Sequence, residues 1–189
     1  MENINKNEIP IRWGFIIGIV GIVITTFLNL FVLSNDGMMS YYIGLAISFI
    51  IIIVMMVISA KKQRKQMGGY ITLKESFRGL FISILIICVL SALYQIIYTK
   101  FIDPDFTVRL KDATINFTEK MGAPQDKLDE VAEDFDKQMA ERKTFSKQLL
   151  SVMWAIVFYS IVGFIIAAVV KKNKPIFNED ESANQQFQH

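Results

Sequence analysis

The chain has 189 residues, 52% of them hydrophobic and 20% charged, with a net charge of +2 and a mean hydropathy of +0.38. A water-soluble domain of this size does not gather its apolar residues into long uncharged blocks as this chain does, so a globular soluble fold is excluded. With one cysteine, Cys88, and one histidine, His189, an intrachain disulfide, histidine acid/base catalysis and a His/Cys metal site are excluded as well.

The uncharged blocks cover residues 13–35, 37–60, 79–99 and 148–170. At about 1.5 Å of rise per residue, a helix of that length matches a hydrocarbon core of about 30 Å. A backbone in lipid must satisfy its own hydrogen bonds, so each block is driven to be helical. The pattern predicts an all-α integral membrane protein with transmembrane helices at 11–34, 40–60, 77–99 and 148–170. The first apolar run exceeds the roughly 7–15 residues of a signal-peptide core, so it is read as a retained span.

Residues 1–10 form an N-terminal segment, and Pro10 suits the first turn of a helix. Gly14, Gly18 and Gly21 place a small-residue face on the first span, of the kind that lets helix backbones approach closely in lipid. A short turn at 35–39 carries only Asp36. After the second span, segment 61–76 opens with the basic cluster Lys61, Lys62, Arg64 and Lys65. It continues through a Gly68-Gly69 turn to Thr72-Leu73-Lys74-Glu75, a capping box that marks the next helix start. Trp13, Tyr41, Tyr42, Tyr70, Tyr94 and Tyr98 fall near the ends of spans, as an aromatic belt requires.

Segment 100–147 carries nine basic and eleven acidic residues. Asp103-Pro104 reads as an N-cap followed by a first-turn proline. Phe106, Leu110, Ala113 and Phe117 then recur at helical spacing. Gly122 and Pro124 break that helix, and Leu128, Val131, Phe135 and Met139 begin another. The expectation is an amphipathic helical hairpin outside the membrane. Its acids (Asp126, Asp129, Glu130, Glu133, Asp134, Asp136) alternate with Lys127 and Lys137, as on a solvated face. Whether the second helix runs on through Phe145 or breaks near Thr144 stays open. In the fourth span Gly163 and Ala167 offer a second small-residue strip, echoing Gly14 and Gly18. Trp154 and Tyr159 lie deep enough that their polar groups are expected to face other helices. Residues 171–189 begin with Lys171, Lys172 and Lys174 and become polar, which predicts a disordered tail.

The basic clusters follow the even-numbered spans, on the side of Lys6 and Arg12. Lys and Arg are retained on the cytoplasmic face, so both termini and segment 61–76 are expected there and segment 100–147 outside. The clusters abut spans and lack interleaved aromatics, which favours the lipid bilayer over nucleic acid as their partner.

Apart from Arg12 and Arg78 at their cytoplasmic ends, the spans hold no charged side chain. Asn29, Gln95 and hydroxyls such as Thr25, Thr26, Ser48, Ser83, Ser91, Ser151 and Ser160 are their polar groups, which argues against a proton-coupled carrier. No catalytic set, phosphate-cradling loop, metal site or cofactor motif is present. The favoured reading is a non-enzymatic structural or interaction protein, acting as a homodimer or with another membrane protein. The alternative is a small oligomeric transporter or channel subunit for a neutral solute.

Gly68-Gly69-Tyr70-Ile71-Thr72-Leu73 leading to Phe77 and Gly79, followed by Tyr94, Tyr98 and Ile102-Asp103-Pro104, resembles a family of small bacterial membrane proteins, domain of unknown function 4199. The likeness runs from Pro10 to Lys172. It implies four spans and a bacterial cytoplasmic-membrane location, and supplies no catalytic or ligand residues.

Overall fold

The computed structural model describes residues 7–33, 37–142 and 144–174. Lys6, Asp36 and the tail beyond Lys174, expected to be disordered, lie outside the described residues. The chain is all-helical: α1 (Glu8–Phe27) continuing into a π-helical turn (Leu28–Val32), α2 (Gly37–Gln66), α3 (Leu73–Ile97) continuing into a second π-helical turn (Tyr98–Ile102), α4 (Phe106–Lys120), α5 (Gln125–Arg142) and α6 (Phe145–Val170). Among the described residues the only extended pairing is an isolated antiparallel bridge between Ile71 and Lys172. Four helical segments are long and apolar enough to cross a membrane: Glu8–Val32, Gly37–Gln66, Leu73–Ile102 and Ser146–Val170.

Local chemistry explains several of the boundaries. Glu8 and Pro10 occupy the first turn of α1, where an acid suits the helix dipole and a proline leaves no bond unmade. The capping box at α3 is complete: Thr72 Oγ1 accepts from the Glu75 N–H at 3.3 Å, and Glu75 Oε2 accepts from the Thr72 N–H at 3.1 Å. Such a cap contributes about 1 kcal/mol. Gly122, with φ of 84°, turns the chain between α4 and α5. The helices either side of Thr144 are separate elements, and Thr144 itself is extended at φ −74° and ψ 130°.

Two boundaries differ from expectation. α2 runs through the basic cluster to Gln66, so Lys61, Lys62, Arg64 and Lys65 lie on its last turns. Long cationic side chains reach water without ending a helix. Asp103 does not cap α4, which begins at Phe106 with Asp105 at the cap position and no side-chain cap bond. The Asp103 carboxylate instead takes the Tyr98 hydroxyl at 2.9 Å and pairs with Arg109.

The long helices form a bundle in which α1 packs along α3 and α3 along α6, while α2 contacts both α1 and α6. The order around the bundle is α1, α2, α6, α3, with α2 and α3 also meeting across it. α3 is the most interior: 28% of its most apolar window is buried, against 17% in α2 and in α6. Ile17, Met56, Ala60, Leu80, Ile84, Ile87, Cys88, Ile166, Ala167 and Val170 form the main core. A second cluster of Leu28, Leu33, Met38, Tyr41, Tyr98 and Phe106 closes the end where α1 stops and α2 starts, and through Phe106 it anchors α4 there. α4 and α5 touch, with Lys111 Nζ 2.6 Å from Asp136. Large apolar side chains such as Ile19, Val23, Ile50, Val89 and Ile161 point outward from the bundle. Exposed apolar surface on that scale suits lipid rather than water.

Candidate functional site

The small residues sit where helices approach closely. A Cβ on Gly14 would stand 3.1 Å from Ser83 Cα and from two side-chain atoms of Ile86, all on α3, and one on Gly18 would stand 2.7 Å from Leu90 Cδ1. Gly21 faces α2 more loosely, its nearest neighbour being Ile52 Cδ1 at 3.9 Å. On α6, Gly163 lies against Ile84, Leu80 and Met56, and Ala167 is fully buried. The glycines of α1 and α6 that echo one another in sequence thus both serve the same central helix. The Ser83 hydroxyl adds a bond to the Pro10 carbonyl at 2.7 Å.

The polar groups of the spans do not converge on a path. The Tyr41 hydroxyl donates to Asn29 Oδ1 at 2.9 Å within the closed end cluster, and the Thr26 and Tyr94 hydroxyls share a bond of 2.5 Å. Ser48 returns its hydroxyl to the Gly44 carbonyl at 2.7 Å. Gln95, Ser91 and Ser151 lie on the exposed surface of their helices. Tyr41 and Tyr98, expected in an interfacial belt, are instead buried. Trp154 corrects another expectation: it is 67% exposed and faces outward. Tyr159 does pack inward, its ring centroid 6.2 Å from that of Phe49 on α2.

The opposite end of the bundle is basic and knitted together. Arg64 Nη1 donates to the carbonyl of Val170 at 3.1 Å, satisfying an acceptor that the end of α6 leaves free. Ile71 and Lys172 exchange both backbone hydrogen bonds at 2.9 Å, which ties the exit of α6 to the turn between α2 and α3. Lys62 Nζ stands 4.7 Å above the Trp13 ring, and Lys172 Nζ 5.5 Å from the Tyr70 ring. A groove of about 710 Å³ opens here, its sides including Met67, Tyr70, Ile71, Glu75, Lys172 and Lys174. Lys171 is exposed beside it.

Charge is handled differently at the two ends. The ion pairs among the described residues all fall in segment 103–147: Arg109–Asp103, Lys111–Asp136, Lys127–Glu130, Lys137–Glu133 and Lys147–Glu141. There the Lys137 ammonium, hydrogen-bonded to Glu133, holds that carboxyl below its ordinary range, and Glu130 raises Lys127. None of Lys61, Lys62, Arg64, Lys65, Lys171, Lys172 or Lys174 has a carboxylate partner among the described residues.

The family model for proteins of unknown function, DUF4199, matches residues 12–172. The chain belongs to the DUF4199 family. No curated protein and no solved structure matches it. The match covers the bundle of this DUF4199 protein from Arg12, in the first turns of α1, to Lys172 of the Ile71–Lys172 bridge. Several contacts in it escape sequence reasoning. Gln63 is buried with its amide against Gly79, so close that a Cβ there would sit 2.2 Å from Oε1. A polar residue next to a basic run reads as surface, and only the lack of a side chain at Gly79 hints at the contact. The Tyr98–Asp103–Arg109 set is spaced at five and six residues across a π-helical turn, a pattern that no helical period predicts.

Proposed function

We propose that this DUF4199 protein is a non-enzymatic, multi-pass protein of the bacterial cytoplasmic membrane with a structural or interaction role. Both termini and the basic end of the bundle lie in the cytoplasm, and α4 with α5 forms an extracytoplasmic helical hairpin. The observation that carries this reading is the apolar, packed interior. The main core is apolar, and Asn29, Thr26, Ser48 and Ser83 spend their hydrogen bonds on neighbouring groups. A solute path needs polar groups facing a continuous cavity, so the same packing weighs against the pore alternative. The hairpin supports an interaction role: Phe106 and Leu128 are buried while its acids and lysines face outward, leaving a charged surface to a homodimer or another membrane protein.

Proteoliposomes carrying the purified protein are expected to take up glycerol and urea no faster than protein-free vesicles. Protein-dependent uptake would overturn the reading in favour of a pore. Orientation is tested separately, in a Cys88→Ala background with one cysteine introduced as Lys62→Cys or Asp126→Cys. A membrane-impermeant maleimide applied from outside is expected to label only the second. Labelling of both from the same side would sink the assigned topology.

A further inference from the structure

We infer that the groove at the basic end holds the headgroup of an anionic phospholipid, its phosphate between Lys172 and Lys174 and its glycerol and first methylenes against Met67, Tyr70 and Ile71. The inference rests on the spans lying in a bilayer, but not on which way they face.

Position comes first. The groove lies where α2 ends at Gln66, α3 begins at Leu73 and α6 ends at Val170, so it opens at the level where apolar spans give way to water. Trp13, under Lys62 at the same end, is the residue type that marks this level. A ligand that belongs at that height is itself half apolar. The groove matches it, with an apolar thioether, ring and aliphatic chain on its sides and lysines at its edge.

Charge comes second. Lys172 and Lys174 are exposed and have no carboxylate partner among the described residues, while Lys61, Lys62 and Lys65 on α2 add to the same positive field. Glu75 also lines the groove, but its Oε2 already accepts from the Thr72 N–H and from Thr72 Oγ1 at 2.9 Å. Among the described residues the five ion pairs fall in segment 103–147, and none of them takes a lysine from this end. Anionic lipid supplies a countercharge to these lysines.

Preorganisation comes third. The double backbone bond between Ile71 and Lys172 holds the Lys172 backbone in place independently of its side chain, and the Tyr70 ring lies beside its ammonium. Substituting the lysine side chain therefore leaves the tie between α6 and the α2–α3 turn intact.

The test uses full-length protein, delipidated in a mild detergent and titrated with dioleoylphosphatidylglycerol or dioleoylphosphatidylcholine, with bound lipids counted by native mass spectrometry. Phosphatidylglycerol is expected to be retained on the order of tenfold better than phosphatidylcholine. Lys172→Gln/Lys174→Gln should abolish that preference, Lys172→Arg/Lys174→Arg should keep it, and Lys127→Gln/Lys137→Gln at the far end should leave it unchanged. Equal binding of the two lipids overturns the inference, as does a preference that survives Lys172→Gln/Lys174→Gln or an equal loss in the far-end variant. Displacement of the lipid by soluble glycerol phosphate at matching concentration would show that the site takes a free phosphate instead. Failure of the protein to float with vesicles overturns the bilayer reading and this inference together; flotation without lipid preference overturns this inference alone.

Discussion

Gly14→Ile is expected to lower the stability of the protein in detergent by about 3 kcal/mol, the upper part of the usual range for overpacking. Helices in lipid gain nothing from excluding water, so α1 and α3 are held by close packing and a few polar bonds. At Gly14 the neighbour is the backbone of Ser83, 3.1 Å from where a Cβ would lie, and backbone cannot swing aside. The added bulk would also push apart the Ser83–Pro10 bond beside it. Gly18 is more forgiving, because the atom at 2.7 Å is the end of the half-buried Leu90 side chain. Gly21→Ala meets nothing nearer than 3.9 Å, and alanine improves helix propensity by up to about 1 kcal/mol. Thermal unfolding in detergent should rank the variants Gly14→Ile, Gly18→Ile, Gly21→Ala in order of rising stability. Equal behaviour of the first and last would mean that the glycine face does not pack on α3.

Tyr98→Ala is expected to release α4 from the end of the bundle at a cost of about 3–5 kcal/mol, as for other large aromatic truncations. Tyr98 is 0% exposed. Its ring meets Phe106 edge-on at 5.4 Å and Tyr94 at 5.5 Å, and its hydroxyl holds Asp103, which in turn holds Arg109 of α4. Truncation opens a cavity and removes the hydroxyl from Asp103 in one step. Tyr98→Phe keeps the ring and loses only the hydroxyl bond, a cost of about 1 kcal/mol. Hydrogen exchange across residues 106–120 should quicken strongly in Tyr98→Ala and slightly in Tyr98→Phe. Unchanged protection in Tyr98→Ala would show that α4 docks by other contacts.

The four spans were legible because charge is expensive in lipid, and its absence over more than 20 residues leaves few alternatives. The capping box at Thr72 was legible for a different reason, since both partners sit within one turn. What the sequence hid depends on partners further away. Asp103 looks like a cap until Arg109 and Tyr98 claim its carboxylate. The N–H of Trp154 predicts an inward face, yet the packing of α6 on α2 and α3 turns that position outward. The order of helices around the bundle was not readable either. α2 and α6 are apolar on every side, so neither announces which face meets a neighbour. Of the basic end, the residue types were visible, but the groove was not. It exists because a two-residue backbone bridge brings Lys172 beside Ile71, a hundred residues away in the chain.

The two π-helical turns, Leu28–Val32 and Tyr98–Ile102, carry a consequence for insertions and deletions. A π-helical turn is an α-helix with one residue too many. Both turns stand at the ends of their spans, so a residue removed there leaves the packed faces of α1 and α3 before it in phase. The same deletion in the middle of α2 rotates everything beyond it by about 100° and drives its packed face into lipid. Register is therefore fixed along the regular helices, and the extra residue of each π-helical turn is taken up at the end where α4 docks.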